Sequence, residues 1–131
     1  MIRFPIIALV LSITSICFAS VDYRCTVTGA FQVDTNGQQQ TNILKHSVGS
    51  QFTVERKSGI MAGSLKNMYV TKPVVIDYGS KENSYKVINT MKSERTSNIY
   101  SLTVEEFIEG PRKPFIFLNN ADVYYGTCEH F

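Results

Sequence analysis

The chain has 131 residues, of which 44% are hydrophobic and 18% are charged, and its formal net charge is +2. This length suits a single domain, because domains commonly span about 100–200 residues. The hydrophobic content is too high for a disordered chain, and the near balance of 13 basic and 11 acidic residues argues against a nucleic-acid-binding platform. Three cysteines are too few for a disulfide-dense miniprotein or a four-cysteine zinc site.

The first segment of the chain, residues 1–19, is predicted to be a secretory signal peptide. Arg3 gives it a basic start, an apolar run extends from Pro5 to Ile16, and the small residues Cys17 and Ala19 precede a polar segment. The apolar run of about 12 residues is shorter than the roughly 20 that a membrane-spanning helix needs. We therefore expect cleavage after Ala19, or one position later after Ser20, and a periplasmic or secreted protein with no stable membrane insertion. The alternatives are an uncleaved N-terminal anchor and a lipoprotein attached at Cys17, although Ile16 stands where a lipobox has Gly, Ala or Ser.

The mature chain, residues 20–131, shows the period-two alternation of apolar and polar residues that is typical of strands. In chain order, its first half predicts a strand at 21–33, a polar loop at 34–41, and strands at 52–54 and 60–65. The pattern at 42–48 is ambiguous and is compatible with a single helical turn. Gly29 interrupts the first strand and indicates a bulge. Gly59, in the turn that follows Lys57 and Ser58, is suited to the positive φ angle that a tight hairpin requires.

The second half of the chain continues the same pattern. Its predicted strands are 74–78, 84–91, 100–104, 115–118 and 123–128. Phe107 is out of phase with Val104, which predicts a β-bulge near Glu105 and Glu106. The aromatic side chains expected to fill the interior are Phe52, Tyr85, Tyr100 and Phe107. Tyr124 and Tyr125 are adjacent, so one of them is expected to meet solvent, where Tyr69 or Tyr78 would complete an aromatic patch.

The sequence therefore predicts an all-β fold of about eight strands, either a small antiparallel barrel or a two-sheet sandwich. Cleavage of the signal peptide removes Cys17 and leaves Cys25 and Cys128. In an oxidising compartment these two are expected to form one disulfide, and the absence of a Cys-x-x-Cys motif argues against a redox role. Such a bond would bring the first and last strands together and favour a closed or nearly closed sheet.

Candidate chemistry is sparse in this sequence. His46 and His130 are the two histidines, and their spacing matches no metal-binding motif, so we expect two surface histidines and neither metal nor cofactor. Ser50 and Ser64 each follow a glycine, but no partner base is recognisable for a nucleophilic serine.

Three carboxylates remain as candidates for an enzymatic site. Glu105 and Glu106 would point to opposite faces of a regular strand, although a bulge would turn them to the same side. Asp77 lies among apolar residues and is expected to be half-buried and paired with a lysine or an arginine. Convergence of these carboxylates with His46 in a cleft would indicate an enzyme.

The motifs of this chain resemble those of a group of small exported proteobacterial β proteins to which no activity is assigned. The matching segments are Phe52–Gly59, Gly63, Ser84–Val87, Glu105–Phe115 and Tyr124–Glu129. Glu55 and Ser58 stand where the group has Asp and Thr. The two-cysteine barrel plan is also similar in outline to that of periplasmic C-type lysozyme inhibitors. The Ser-Gly-x-x-Tyr and Thr-Lys-Gly loop motifs of those inhibitors are absent, since Pro73 follows Thr71 and Lys72.

Two hypotheses for the function follow from the sequence. The first is a non-enzymatic binding or inhibitor-like module that presents the loops 34–41 and 92–98 to a protein partner. The second is a carrier of a small apolar ligand inside a β-barrel. The cavity that holds this ligand would be lined by Phe52, Val54, Leu102 and Val104. A barrel of about eight strands either fills with side chains or holds one small ligand, so the packing of the interior distinguishes the two hypotheses.

Overall fold

The alternating segments of residues 21–131 form antiparallel strands. The computed structural model describes residues 21–131, so the predicted signal peptide at 1–19 lies outside the described residues. The elements are β1 (Tyr23–Val33), β2 (Gln39–Gln40), a 3₁₀ turn (Lys45–Ser47), β3 (Gln51–Val54), β4 (Met61–Gly63), β5 (Val74–Tyr78), β6 (Tyr85–Lys92), β7 (Ser97–Val104), β8 (Lys113–Asn119) and β9 (Asp122–His130). Each predicted strand corresponds to one of these, and the ambiguous segment 42–48 contains the 3₁₀ turn. The short strand β2 was not predicted, since the polar loop was expected to remain unpaired.

The strands form one curled antiparallel sheet, a half-barrel, with the order β4-β3-β1-β9-β8-β7-β6-β5 and with β2 added to β1. Strands β5 to β9 are consecutive neighbours, as expected of a meander. The first and last strands also pair, because β1 lies between β3 and β9. The open edges of the sheet are consequently β4 and β5, which are connected by residues 64–73.

The predicted disulfide is confirmed. Cys25 on β1 and Cys128 on β9 are register partners and are bonded to each other. The bulge predicted at Gly29 is also confirmed, since the register of β1 against β9 shifts between Val27 and Gly29. The Tyr125 ring covers Gly29, so a larger residue at this position would have to displace that ring. A Cβ atom there would lie 2.1 Å from the ring carbon that bears the hydroxyl.

The inner face of the sheet carries the hydrophobic core. Its largest fully buried side chains include Tyr23, Phe52, Tyr85, Leu102 and Phe117. Tyr100 is buried as predicted, and Tyr124 points inward while Tyr125 is exposed. The buried side chains occupy the interior of the half-barrel as a single hydrophobic cluster.

The prediction for Phe107 was wrong, because its side chain is 39% exposed. Strand β7 ends at Val104, and the chain then turns instead of forming the predicted bulge within a strand. The Ile108 N–H donates to the Glu105 carbonyl at 3.1 Å in this turn. Because the residues after Val104 no longer follow the alternating strand geometry, the Phe107 side chain does not point into the core.

The register defines two ends of the half-barrel. The hairpin end contains the β1–β2, β6–β7 and β8–β9 turns, since Phe31 faces Val123 and Met91 faces Asn98 there. The opposite end, called the Glu106 end below, contains the β3–β4, β5–β6 and β7–β8 connections with the start of β1 and the finish of β9. Within residues 21–131, no helix has the length and apolar character needed to cross a bilayer.

Candidate functional site

A polar cluster at the Glu106 end joins three distant parts of the chain. Glu106 lies in the β7–β8 connection, Tyr23 at the start of β1 and His130 at the end of β9. The Tyr23 hydroxyl donates to Oε2 of Glu106 at 2.6 Å, and Nε2 of His130 lies 2.9 Å from the same oxygen. The Tyr23 and His130 rings are also packed together, with centroids 5.3 Å apart.

Arg56, in the β3–β4 turn, completes this cluster. Its guanidinium group lies over the Tyr23 ring at 5.5 Å, and its Nη2 is 4.0 Å from Oε1 of Glu106. The same group donates from Nε and Nη2 to the Tyr78 carbonyl, at 3.1 and 2.8 Å. The Tyr85 hydroxyl donates to the Arg56 carbonyl at 2.8 Å. One arginine therefore connects the β3–β4 turn to the end of β5 and to the buried carboxylate.

The electrostatics of the cluster favour an ionised Glu106. Burial raises the pKa of this carboxyl group, but the hydrogen bonds from Tyr23 and His130 and the charges of His130 and Arg56 outweigh burial and hold the pKa below its ordinary value. Burial raises the pKa of Tyr23, and the hydrogen bond to Glu106 adds to that effect. Burial likewise raises the pKa of Tyr85. Both tyrosines consequently remain neutral hydrogen-bond donors at physiological pH.

This arrangement suits structural cross-linking better than proton transfer. A general base is most effective when its pKa lies near the working pH, whereas that of Glu106 is shifted the other way. Its Oε2 oxygen already faces both Tyr23 and His130. Glu106 also lines an open cleft of about 370 Å³ that is bordered by Lys81 and Lys113. The carboxylate therefore ties the β7–β8 connection to the two chain ends.

The other predicted carboxylates do not join this cluster. Glu105 accepts a hydrogen bond from the Ser84 hydroxyl at 3.0 Å, so the adjacent glutamates have separate partners. Asp77 is half-buried, as expected, but the expected pairing with a lysine or an arginine was wrong. Its Oδ1 instead accepts the backbone N–H of Gly79 at 2.8 Å, because the chain turns directly after β5.

The predicted histidines differ in their surroundings. His46 lies exposed in the 3₁₀ turn, and His130 is the histidine that reaches a carboxylate. Among residues 21–131, no group of three or more histidine, cysteine, aspartate or glutamate side chains is arranged to hold a metal ion.

The two loops predicted to bind a partner lie at the same end of the molecule. Residues 34–41 form the β1–β2 hairpin, in which Gln39 pairs with Val33. The loop at 92–98 is shorter than expected, because β6 continues to Lys92 and β7 begins at Ser97. Strands β9 and β8 lie between the two hairpins, so the two loops are not neighbours in the sheet order.

The aromatic side chains pair differently from the predicted surface patch. Tyr69 packs against Tyr100, with ring centroids 5.6 Å apart. Tyr125 packs edge-on against Phe31 at 6.4 Å, on the outer face of the sheet. The patch around Tyr125 is therefore built from β1 and β9.

The outer face of the sheet is the least expected surface. One cross-strand row runs through Val74, Ile88, Ser101, Leu118, Val123 and Phe31. A second row runs through Asp77, Lys86, Thr103, Ile116, Tyr125 and Gly29. The first row carries no charged residue, and the second is charged only at its β5–β6 end. Large apolar side chains in both rows are exposed, including Val74 at 58% and Ile116 at 42%. An antiparallel sheet with one packed face normally presents a polar second face.

Neither the Glu106 cluster nor the outer face was identified from the sequence. Tyr23 and Glu106 are 83 positions apart, so their contact depends on the pairing order of the strands. A local signal for the outer face did exist. Strands β5 and β8 carry apolar residues in both phases of the alternation, as in Val74 with Val75 and Ile116 with Phe117.

The chain was compared with protein-family models, with curated proteins and with solved structures, and no match was found in any of the three.

Proposed function

We propose that this protein is an exported, non-enzymatic binding module of the bacterial envelope whose partner is a protein. The observation that carries the proposal is the uncharged, largely apolar row from Val74 to Phe31 on the outer face of a sheet whose inner face is already packed. Contiguous apolar surface of this kind marks protein interaction sites more often than solvated surface. The partner surface that fits it is apolar at its centre, with polar groups at its margin.

The composition of the outer face supports this proposal. Ile88 and Leu118 are separated in their row by Ser101, which adds a small polar group without a charge. Lys86 and Lys92 lie on the same face of β6 and stand at the margin of the apolar area. An uncharged centre with charges confined to the margin is the usual organisation of a protein interface.

The packing of the interior favours a binding surface over an internal ligand. The side chains expected to line a ligand cavity belong to one buried cluster, and each is at most 1% exposed: Phe52, Val54, Leu102 and Val104. Phe52 packs edge-on against Phe115 with ring centroids 5.2 Å apart, so aromatic side chains occupy the space between the strands. In small barrels the interior serves either side chains or a ligand.

The state of Glu106 supports a non-enzymatic role. Its lowered pKa and its hydrogen bonds make it a stable ionised acceptor rather than a base poised near neutral pH. Export is supported by the predicted signal peptide and by the Cys25–Cys128 bond, because disulfides persist in oxidising compartments.

The proposal is tested by capture of a partner with matched surface variants. The mature oxidised protein is immobilised and exposed to periplasmic extract and to host fluids, and retained proteins are identified by mass spectrometry. Ile88→Lys places a charge within the apolar row of the outer face. Ile43→Lys makes the same change at a side chain that is 53% exposed in the β2–β3 connection.

We expect one reproducible protein that is retained by the unmodified module and by Ile43→Lys but lost with Ile88→Lys. Thermal unfolding of each variant verifies that the fold persists. Equal retention of that protein by both variants would show that the outer face is not the docking surface. Repeated co-purification of a small molecule without any retained protein would contradict the proposal itself.

A further inference from the structure

A groove lies where the curled sheet remains open, between the β3–β4 hairpin and β5. Its volume is about 320 Å³, near the lower limit of the roughly 300–1,000 Å³ typical of small-molecule sites. The residues that define it are Lys57, Ile60, Lys72, Pro73, Val75 and Tyr78. Val74 also borders the groove, so it is continuous with the apolar outer face.

Side-chain contacts hold both ends of this groove. At the Glu106 end, Arg56 donates to the Tyr78 carbonyl, and the Tyr78 hydroxyl approaches the Lys57 carbonyl at 3.4 Å. At the other end, Asn67 donates to the Gly59 carbonyl at 2.8 Å. Asn89 on β6 in turn donates to the Asn67 carbonyl. These contacts connect the two sides of the groove, although no ladder of hydrogen bonds joins β4 to β5.

The middle of the groove combines an apolar floor with two cationic sides. Ile60 and Val75 are half-buried and Pro73 is buried, which provides a surface for an apolar side chain. Lys57 and Lys72 are exposed, and neither lies within ion-pair distance of a carboxylate among residues 21–131. The groove residues include no aspartate or glutamate. A ligand that complements the charges of Lys57 and Lys72 is therefore anionic.

The unpaired edge of β5, next to the groove, favours an extended ligand. This strand ends the sheet, so one side of its backbone has no partner strand. Extended peptides bind such edges and place alternate side chains into neighbouring pockets. The irregular register between Val75 and Asp77, together with Pro73, restricts pairing to a short stretch. Side-chain contacts in the groove must therefore supply most of the recognition.

We propose that this groove binds a short, extended, acidic segment of the protein partner. One apolar side chain packs on Ile60, Pro73 and Val75, and flanking carboxylates lie against Lys57 and Lys72. This inference rests on the proposed function, because it names the chemistry of a segment within the partner. It adds a second contact to the one at the outer face.

The test uses short synthetic peptides and the mature, oxidised, ¹⁵N-labelled protein. The probe is a blocked hexapeptide of alternating Glu and Val, and its controls are hexapeptides of alternating Lys and Val and of alternating Glu and Ser. We expect the Glu/Val peptide to shift the backbone amide resonances of Ile60 and Val75. Both control peptides should bind about tenfold more weakly or not at all.

Charge-reversal variants link the binding to the two lysines. The double variant Lys57→Glu with Lys72→Glu should weaken the Glu/Val peptide by about tenfold, in keeping with two exposed ion pairs. The matched control, Lys45→Glu with Lys81→Glu, changes the net charge equally at exposed positions outside the groove and the outer-face rows and should bind as the unmodified protein does.

Several outcomes would overturn the inference. They are the absence of shifts at millimolar Glu/Val peptide, equal binding of the Lys/Val peptide, or equal weakening in both double variants. Failure of the groove inference can be distinguished from failure of the binding-module proposal. If only the groove inference fails, a protein is still captured and its capture still depends on Ile88. If the binding-module proposal fails, no protein is captured reproducibly.

Discussion

At Glu106, burial and hydrogen bonding act on the carboxyl group in opposite directions. Burial favours the neutral acid, whereas Tyr23, His130 and Arg56 favour the carboxylate, and their combined effect prevails. The pKa is therefore lower in the folded chain than in the unfolded chain. Between those two pKa values the unfolded state binds more protons, so stability rises with pH there. The contribution is complete above about 4.5, the ordinary value, and is lost as the pH falls through the folded pKa.

The variant Glu106→Gln tests this contribution at the residue scale. It should lower the free energy of unfolding at pH 7 by about 1–3 kcal/mol, because charge-assisted hydrogen bonds are lost. It should also flatten the decline of stability below about pH 4.5, since the titrating carboxyl group is gone. Urea unfolding across this pH range measures both effects. The control is Glu109→Gln in the same connection, where the side chain is exposed. An acid limb identical to that of the unmodified protein would contradict this account of Glu106.

At the scale of elements, local sequence specified the strands but not every connection. Gly59 shows a turn that the sequence did predict, since it has the positive φ of 77° expected of that position. Phe107 shows the converse, because the end of β7 depends on how Glu105 and Glu106 find partners elsewhere. Those partners, Ser84 and Tyr23, are too distant in the chain for any periodic pattern to reveal.

The β3–β4 turn gives a test at this scale. A Cβ atom at Gly59 would lie 2.6 Å from Cγ1 of Val87, so the turn packs directly on β6. Gly37 has a nearly equal φ of 76° but open space around it. Gly37→Ala should therefore cost about 1–2 kcal/mol from backbone strain alone. Gly59→Ala should cost about 1–3 kcal/mol more from overpacking. Denaturant unfolding of both variants measures the difference, and equal losses would show that the turn does not press on Val87.

At the scale of the whole molecule, the two cysteines and the number of predicted strands indicated that the first and last strands lie together. They did not indicate which strands form the open edges of the sheet. The pairing of β1 with β9 follows from the disulfide that export implies. The opening between β4 and β5 depends on β1 also pairing with β3, which no pattern in the sequence specifies. The groove and the outer face both depend on this order of strands. Sequence reasoning proposed a binding module that presents the loops at 34–41 and 92–98, whereas the surfaces proposed from the structure lie on the sheet.

Removal of the disulfide is the prediction that belongs to this largest scale. The bond closes a loop with a sequence separation of 103, and the chain-entropy model assigns about 4–5 kcal/mol to a loop of this length. The neighbouring ladder keeps Cys25 opposite Cys128 in the folded state, so the main effect of the bond is on the unfolded chain. Cys25→Ser combined with Cys128→Ser should therefore retain the native far-ultraviolet spectrum but lose about 2–5 kcal/mol of unfolding free energy.

Guanidinium unfolding of the oxidised protein, the reduced protein and the double serine variant measures this loss. The reduced protein and the serine variant should agree, because both lack the same covalent constraint. If the variant instead shows a disordered spectrum in dilute buffer, the ladder between β1 and β9 depends on the bond for its formation. If its stability equals that of the oxidised protein, the bond does not constrain the unfolded chain. The expected loss of stability with a native spectrum requires that β1 and β9 pair without the bond, because their ladder of register partners holds Cys25 opposite Cys128 in either case.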